Sequence, residues 1–247
     1  MTKSNLIKGL SRLTILAAVV LLVPAGVFAD TVAVDDFAIT AKDTPVTINV
    51  LANDTPGNGT WDMNKITIVD KTGPSNGKAE YIGDGQFKYT PNQGFVSPVV
   101  NGKPVPDTFE YEACDTEGKC GDAWVDVIVA IEVPLNIITR KLNVNKMGVI
   151  PVDIRSRGDF DITTVDPESL MLQGVVPVRS NMPAGKKLTL KLHAQEIVQA
   201  LGGIANLTDR QAVILQLTGA TLDGYAIFGE DSVIILKNSN NGKHGKP

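Results

Sequence analysis

Two cysteines and a set of loop carboxylates are the residues of this chain best equipped for chemistry. Cys114 and Cys120 are its only thiols, and five residues, DTEGK, separate them. Placed opposite one another across a hairpin, they put Phe109, Tyr111 and Ala113 beside Val125, Val127 and Val129 on one inward face, with both sulfurs outward. That register predicts a cross-strand disulfide; two free thiols are the alternative, suited to a reducing compartment. Asp35, Asp36, Asn53, Asp54, Asp115 and Glu117 are oxygen donors near turns, the ligand type that Ca2+ takes. The same residues serve equally well as Asx-turn acceptors and solvated acids. Glu112 faces Asp122 in the hairpin register, and like charges so opposed need screening by water or by a cation.

Other chemistries find little support. Trp124 and Ile128 fall on the outward hairpin face, either as a weak contact surface for a partner or as cover for a domain junction or a loop such as Ser97 to Val105. Of two histidines, His193 lies on the polar side of a strand and the other in the polar tail, so the folded part has no zinc cluster and no Ser-His-Asp set. A hydrolase built on paired carboxylates is a remote alternative, because no long loop sets a Glu pair among aromatic sugar platforms. No Gly-rich phosphate cradle joins a strand to a helix. The chain is therefore expected to be non-catalytic.

The elements that must position these residues are mostly strands. Residues 1–29 hold Lys3, Lys8 and Arg12, the apolar run Leu13 to Val23, and Val27-Phe28-Ala29, which together read as a secretory signal peptide cut between Ala29 and Asp30. The run is short for a membrane span, and no second one follows. Cleavage takes the formal charge from −4 to −7, a mildly acidic balance that speaks against nucleic acid or anionic membrane as the main partner. Aromatic residues make up 5% of the chain, which leaves little for stacking on sugars or bases.

Strands are expected at 31–39, 46–51, 65–70, 78–82 and 86–89, with Gly83-Asp84-Gly85 as a tight turn, before the cysteine hairpin closes the unit. About seven short strands over a hundred residues make an immunoglobulin-like β-sandwich, residues 30–132. Pro91 to Pro106 is expected to be a long loop. Glu132-Val133-Pro134 reads as a short, stiff linker. The second unit, 133–237, alternates at Ile150, Val152 and Ile154, at Leu188, Leu190 and Leu192, and at Val213, Leu215 and Leu217. One short helix falls at 194–201. Residues 238–247 are polar and expected to be disordered. The fold class is all-β, two tandem sandwich-like domains, the second carrying one short helix.

The phrases VLANDT, NGKAEYIGDGQFKYTPNQGF and DTFEYEACDTEGKC resemble the cadherin-like or immunoglobulin-like (Big-type) modules of bacterial surface and secreted proteins. Asp35-Asp36, Val50 to Asp54, Tyr89 to Pro91, and Phe109 with Tyr111 carry the likeness, and the insertion-like Ser97 to Val105 departs from it. The phrases KMGVIPVDIRSRGDFDITTVDPESLML and LQLTGATLDGYAIFGEDSVIIL resemble a C-terminal module of exported bacterial multidomain proteins. Relatives often carry an Asp-rich loop where this chain has Ser180 to Lys187, so that calcium loop is absent. These resemblances imply a secreted, periplasmic or cell-surface module that binds, adheres or builds structure, with a protein or polysaccharide at the cell surface as partner. A calcium-stabilised spacer and a carbohydrate-binding accessory are the alternatives.

Overall fold

The structure, a computed structural model, describes residues 30–158, 160–181 and 186–237. The signal-peptide and tail assignments, and part of the loop at 180–187, lie outside the described residues. No helix among the described residues is long and apolar enough to cross a membrane.

In the first unit, β1 (Asp36–Ala41), β2 (Val46–Asn49), β3 (Trp61–Ile68), β4 (Gly77–Gly83), β5 (Gln86–Pro91), a minute pair β6 (Val99–Val100) and β7 (Lys103–Pro104), β8 (Asp107–Asp115) and β9 (Cys120–Glu132) follow in order. β1, β9, β8 and β3 form one layer, with β1 parallel to β9; β2, β5 and β4 form the other. Between them pack Phe87, Tyr89, Phe109, Tyr111, Val125, Val127 and Val129, none exposed. Period-two alternation puts these side chains on the facing surfaces of both layers. The β8–β9 register pairs Cys114 with Cys120 and Glu112 with Asp122, as expected. The Asp84-Gly85 turn takes positive φ at both residues, the conformation a two-residue hairpin loop demands.

The first strand differs from its expected start. The Val34 amide donates to Asp54 Oδ1, and Asn53 Nδ2 donates to the carbonyls of Val34 and Asp35, so side chains have taken the backbone groups a ladder would use. Regular pairing therefore begins at Asp36.

The second unit holds β10 (Leu135–Ile137), β11 (Lys141–Asn143), β12 (Val149–Arg155), β13 (Met171–Leu172), β14 (Arg179–Ser180), β15 (Lys187–His193), α1 (Ala194–Ala200), β16 (Ala212–Ala220) and β17 (Ala226–Leu236). A sheet of order β10-β12-β15-β14 faces the β13-β16-β17 sheet. Leu188, Leu190, Leu192, Val152, Ile154, Leu215 and Leu217 fill the space between. Ile197 and Val198 of α1 close one side of this core.

The junction is a shared sheet. β9 runs on beyond the first unit and pairs in parallel with β17, matching Ile131 to Ile227 and Glu132 to Phe228. The Val133 amide then donates to Phe228 O at 2.7 Å. Ser97 to Val105, expected as open loop, is the clasp. The Ser97 amide donates to Val129 O, its hydroxyl accepts from the Val129 amide, and its carbonyl accepts from Ala226 of the second unit. Val99 N donates to Gly224 O. Asn101 and Gly102, both at positive φ, turn the chain back between β6 and β7. Six residues from Val99 to Pro104 thus form a hairpin seated on both units.

Gly229 lets β17 approach so closely. A Cβ there would stand 2.7 Å from Val133 O and 2.9 Å from Val133 Cγ2, at backbone that cannot swing aside. We expect G229A to cost about 2 kcal/mol, as overpacking of a closely fitted contact does. Hydrogen exchange should accelerate at 131–133 and 226–229 before it does elsewhere, and unchanged exchange there would refute the close approach.

Candidate functional site

At one end of the first unit, the segment leading into β1, the loop after β2 and the β8–β9 turn meet. Val32 and Thr55 exchange backbone hydrogen bonds, and Thr31 Oγ1 donates to Lys119 O. Asp35, Asp36, Asn53 and Asp54 gather here. Asp35 Oδ1 accepts from Trp124 N at 2.9 Å; Asp54 Oδ2 accepts from the buried Tyr111 hydroxyl at 2.6 Å. Asp36 is the exception, for its Oδ2 is shut off from solvent and has no hydrogen-bond partner.

The electrostatics follow from this crowding. Burial, then the charge of Asp54, push the Asp36 carboxyl up to about 7; the Tyr111 hydroxyl offsets part, Asp35 raises it again, and Asn53 lowers it. Burial also raises Asp54, against hydrogen bonds from Tyr111 and the Val34 amide. Burial raises the Tyr111 phenol, and its donation to Asp54 holds the proton further. The arrangement thus favours a proton on Asp36, beside the carboxylate of Asp54.

The other two expected ligands are placed differently. Asp115 is fully buried, and its carboxylate accepts from the amides of Glu117 and Lys119 and, at 3.4 Å, from Thr31 Oγ1. It staples its own turn. Glu117 is exposed on that turn, beside Gly59. Asp35, Asp36, Asn53 and Asp54 are thus neighbours at the start of β1, but the carboxylates of Asp35, Asp36 and Asp54 do not all come within 4.8 Å of one another, and the remaining two expected donors serve the hairpin.

That turn closes on the disulfide between Cys114 and Cys120. The loop it closes is short, so on loop-entropy grounds it constrains the unfolded chain by about 2 kcal/mol. Reduction should lower the melting temperature while leaving a folded first unit. Complete loss of near-ultraviolet signal from the first unit on reduction would contradict this.

The outward face of the β1–β9–β8 layer carries exposed Phe37 and Trp124, at 63% and 42%, among Glu110, Glu112, Asp122 and Asp126. None of those carboxylates enters an ion pair among the described residues. Trp124 is exposed on this face and is not part of the apolar cluster at the junction. Ile128 lacks the exposure expected of it: it is 5% exposed, packed with Ala130, Ala226 and Phe228 in the junction, and so offers no contact surface. Beside it opens an apolar cleft of about 340 Å³ between the units, walled by Phe37, Ile39, Val99, Met171 and Phe228.

Two residues escaped the sequence reading. Phe37 lies next to the two acids Asp35 and Asp36, and its alternation with Asp36 and Ala38 marks an outward position shared with Ile39. Asp107 is 3% exposed and accepts from the amides of Ser75 and Asn76 and from the Tyr89 hydroxyl, all within 2.9 Å. No local pattern distinguishes it from a surface acid.

A two-layer antiparallel sandwich closed by a parallel first strand is the architecture of an immunoglobulin-type module. Residues 29–128 match the family described as bacterial Ig domain. The likeness to that family is confined to this segment, and the second unit lies beyond the match. No curated protein matches the chain.

Solved structures to which the chain is similar include the N-terminal eight Ig domains of Down Syndrome Cell Adhesion Molecule isoform 1.30.30, at 12% identity and TM-score 0.27, covering 85% of this chain and 24% of that one. Extracellular cadherin domains 3–6 of Protocadherin Gamma B2 are similar at 12% identity and TM-score 0.26, over 85% of this chain and 47% of theirs. A third is SGBP-B of a Bacteroides ovatus mixed-linkage glucan utilization locus, in complex with a mixed-linkage heptasaccharide, at 15% identity and TM-score 0.22, over 81% and 43%. The chain spans between about a quarter and a half of the length of these three.

Proposed function

We propose that the chain is an exported, non-catalytic binding, adhesion or structural component of the bacterial cell envelope or extracellular matrix, which contacts a protein or polysaccharide at the cell surface. The match of residues 29–128 to the bacterial Ig domain carries this reading. A disulfide suits an oxidising compartment, and the sequence of residues 1–29 suits export. The clasp at Ser97 supports a stiff tandem, which holds a sheet face and the end loops at a fixed angle to one another. Such a body needs no reactive group to act.

The test has two arms. Protein recovered outside the cytoplasm should begin at Asp30 by mass spectrometry; an intact Met1 would overturn export. The purified exported form should sediment with envelope polysaccharide or envelope protein from its own source, and W124A should weaken that binding at least several-fold, as loss of an aromatic anchor does. Failure to retain either fraction would overturn the binding reading.

A calcium-stabilised spacer is the second reading. The partnerless oxygen of Asp36, facing Asp54, supports it. Any Ca2+ would draw on Asp35, Asp36, Asn53 and Asp54, not on Asp115.

A further inference from the structure

The charges of this chain are divided between its two units. Residues 30–132 hold seventeen acids against seven lysines, a formal net of −10, whereas residues 133–237 hold eleven basic residues against ten acids, a net of +1. In each unit one sheet face presents four of these charges. The first unit's outward β9–β8 face displays Glu110, Glu112, Asp122 and Asp126 around Trp124 and Phe37. The second unit's outward β12–β15–β14 face displays Arg155, Arg179, Lys187 and Lys191, all exposed.

The basic face is arranged against its own stability. Arg179 stands directly opposite Lys191, and Arg155 directly opposite Lys187. Like charges so paired repel. Asp153 relieves one pair, at 3.2 Å from Arg155 and 3.5 Å from Lys187. Arg179 and Lys191 have no acidic partner among the described residues. On the acidic face Glu112 opposes Asp122 in the same way. Each face carries a repulsion that contact with the other would remove.

We infer that these two faces bind one another between copies of the chain, the acidic, aromatic face of one first unit seating on the basic face of another copy's second unit. The faces differ, so the contact is heterologous: each bound copy leaves one face free, and assembly proceeds head to tail. Both faces are sheet surfaces at least three strands wide. Phe37 and Trp124 supply apolar area and ring faces for the guanidinium groups of Arg155 and Arg179. A nucleic acid fits less well, because the chain as a whole is acidic and the basic face has no aromatic residue on which bases could stack.

The inference rests on the reading of the chain as a binding module and adds the identity of its partner. In sedimentation equilibrium the exported form should show a mass that rises with concentration at low salt. It should return to the monomer near 1 M salt, where the screening length falls to about 3 Å. E110Q/D122N and R179Q/K191Q should each remain monomeric while melting like the parent. Mixed in equal amounts, they should form a species of two chains and nothing larger, since each supplies the face the other lacks. A parent that stays monomeric at low salt, a mass indifferent to salt, or a mixture that stays monomeric would each overturn the inference. So would R179Q/K191Q that assembles normally but has lost binding to an anionic polysaccharide. A monomer that still sediments with envelope material would refute self-association and leave the binding reading standing.

Discussion

D107A should unfold the first unit or bring it close to unfolding. The Asp107 carboxylate lies in the floor of the sandwich, where it accepts from two consecutive amides, Ser75 and Asn76, and from the Tyr89 hydroxyl. Those amides belong to the bend that leads into β4, and Tyr89 stands in the centre of the core on β5. One carboxylate therefore ties β8 to both neighbouring strands of the opposite layer. Truncation leaves three buried donors unpaired, at about 1–3 kcal/mol for each such group, and opens a small cavity. The expected cost is about 4 kcal/mol, a large share of the 5–15 kcal/mol that holds a typical domain. The phenol gives an internal control. Burial raises the Tyr89 pKa, and the hydrogen bond to Asp107 raises it further, so in D107A the tyrosine should ionise at lower pH. Y89F, which removes one of the three donors to Asp107 and leaves the carboxylate and both amides paired, should cost about 1 kcal/mol. A D107A protein that melts within a degree or two of the parent would show that water replaces the carboxylate without loss.

How far the sequence reaches can be judged residue by residue. The β8–β9 hairpin was legible to the residue, since alternation fixes which rows face inward and the cysteines then fix the register. The second unit's long strands were legible for the same reason. β1 was legible as a strand but not in extent, because Asn53 and Asp54 reach across from a loop nineteen and twenty residues away to occupy its leading backbone groups. The clasp was missed although its signal was present: Asn101-Gly102 between Val100 and Lys103 is a two-residue hairpin turn of the commonest kind. Length and prolines made the segment look like open loop. What no local pattern can supply is the partner of a polar group. Asp36, Asp107 and Asp115 are the same residue type in similar company. They end as an orphan, a core tie and a turn staple because of strands far away in sequence.

The stability of the first unit should rise as pH falls from 8 towards 5, opposite to the behaviour of a fold held by ion pairs. Asp36 is the cause. Its carboxyl titrates near 7 in the folded chain and near 3.8 when exposed, so across that window the folded state holds a proton that the unfolded state has lost. Stability from this group is complete below 3.8 and disappears as pH rises through 7. Three units of difference correspond to about 4 kcal/mol; the carboxyl is only partly enclosed, and screening brings the expected value to about 3 kcal/mol. The raised pKa of Asp54, also a product of burial, acts in the same direction. Asp153 and Asp161, whose carboxyls are lowered, oppose it only at more acid pH. D36N keeps the shape, removes the charge and supplies donors to the crowded oxygens of Asp54. It should therefore be more stable than the parent at pH 8 and little different at pH 4 to 5. Calcium divides the two readings of this end of the sandwich. If the positive species is a proton, calcium leaves the melting temperature at pH 8 unchanged in both proteins. If it is a cation, calcium raises the parent's melting temperature and D36N's much less, because the substitution removes a negative charge and one of the two oxygens. A parent whose stability is flat between pH 5 and 8 without calcium, or a D36N that is less stable at pH 8, would show that Asp36 is ionised and solvated in the folded chain.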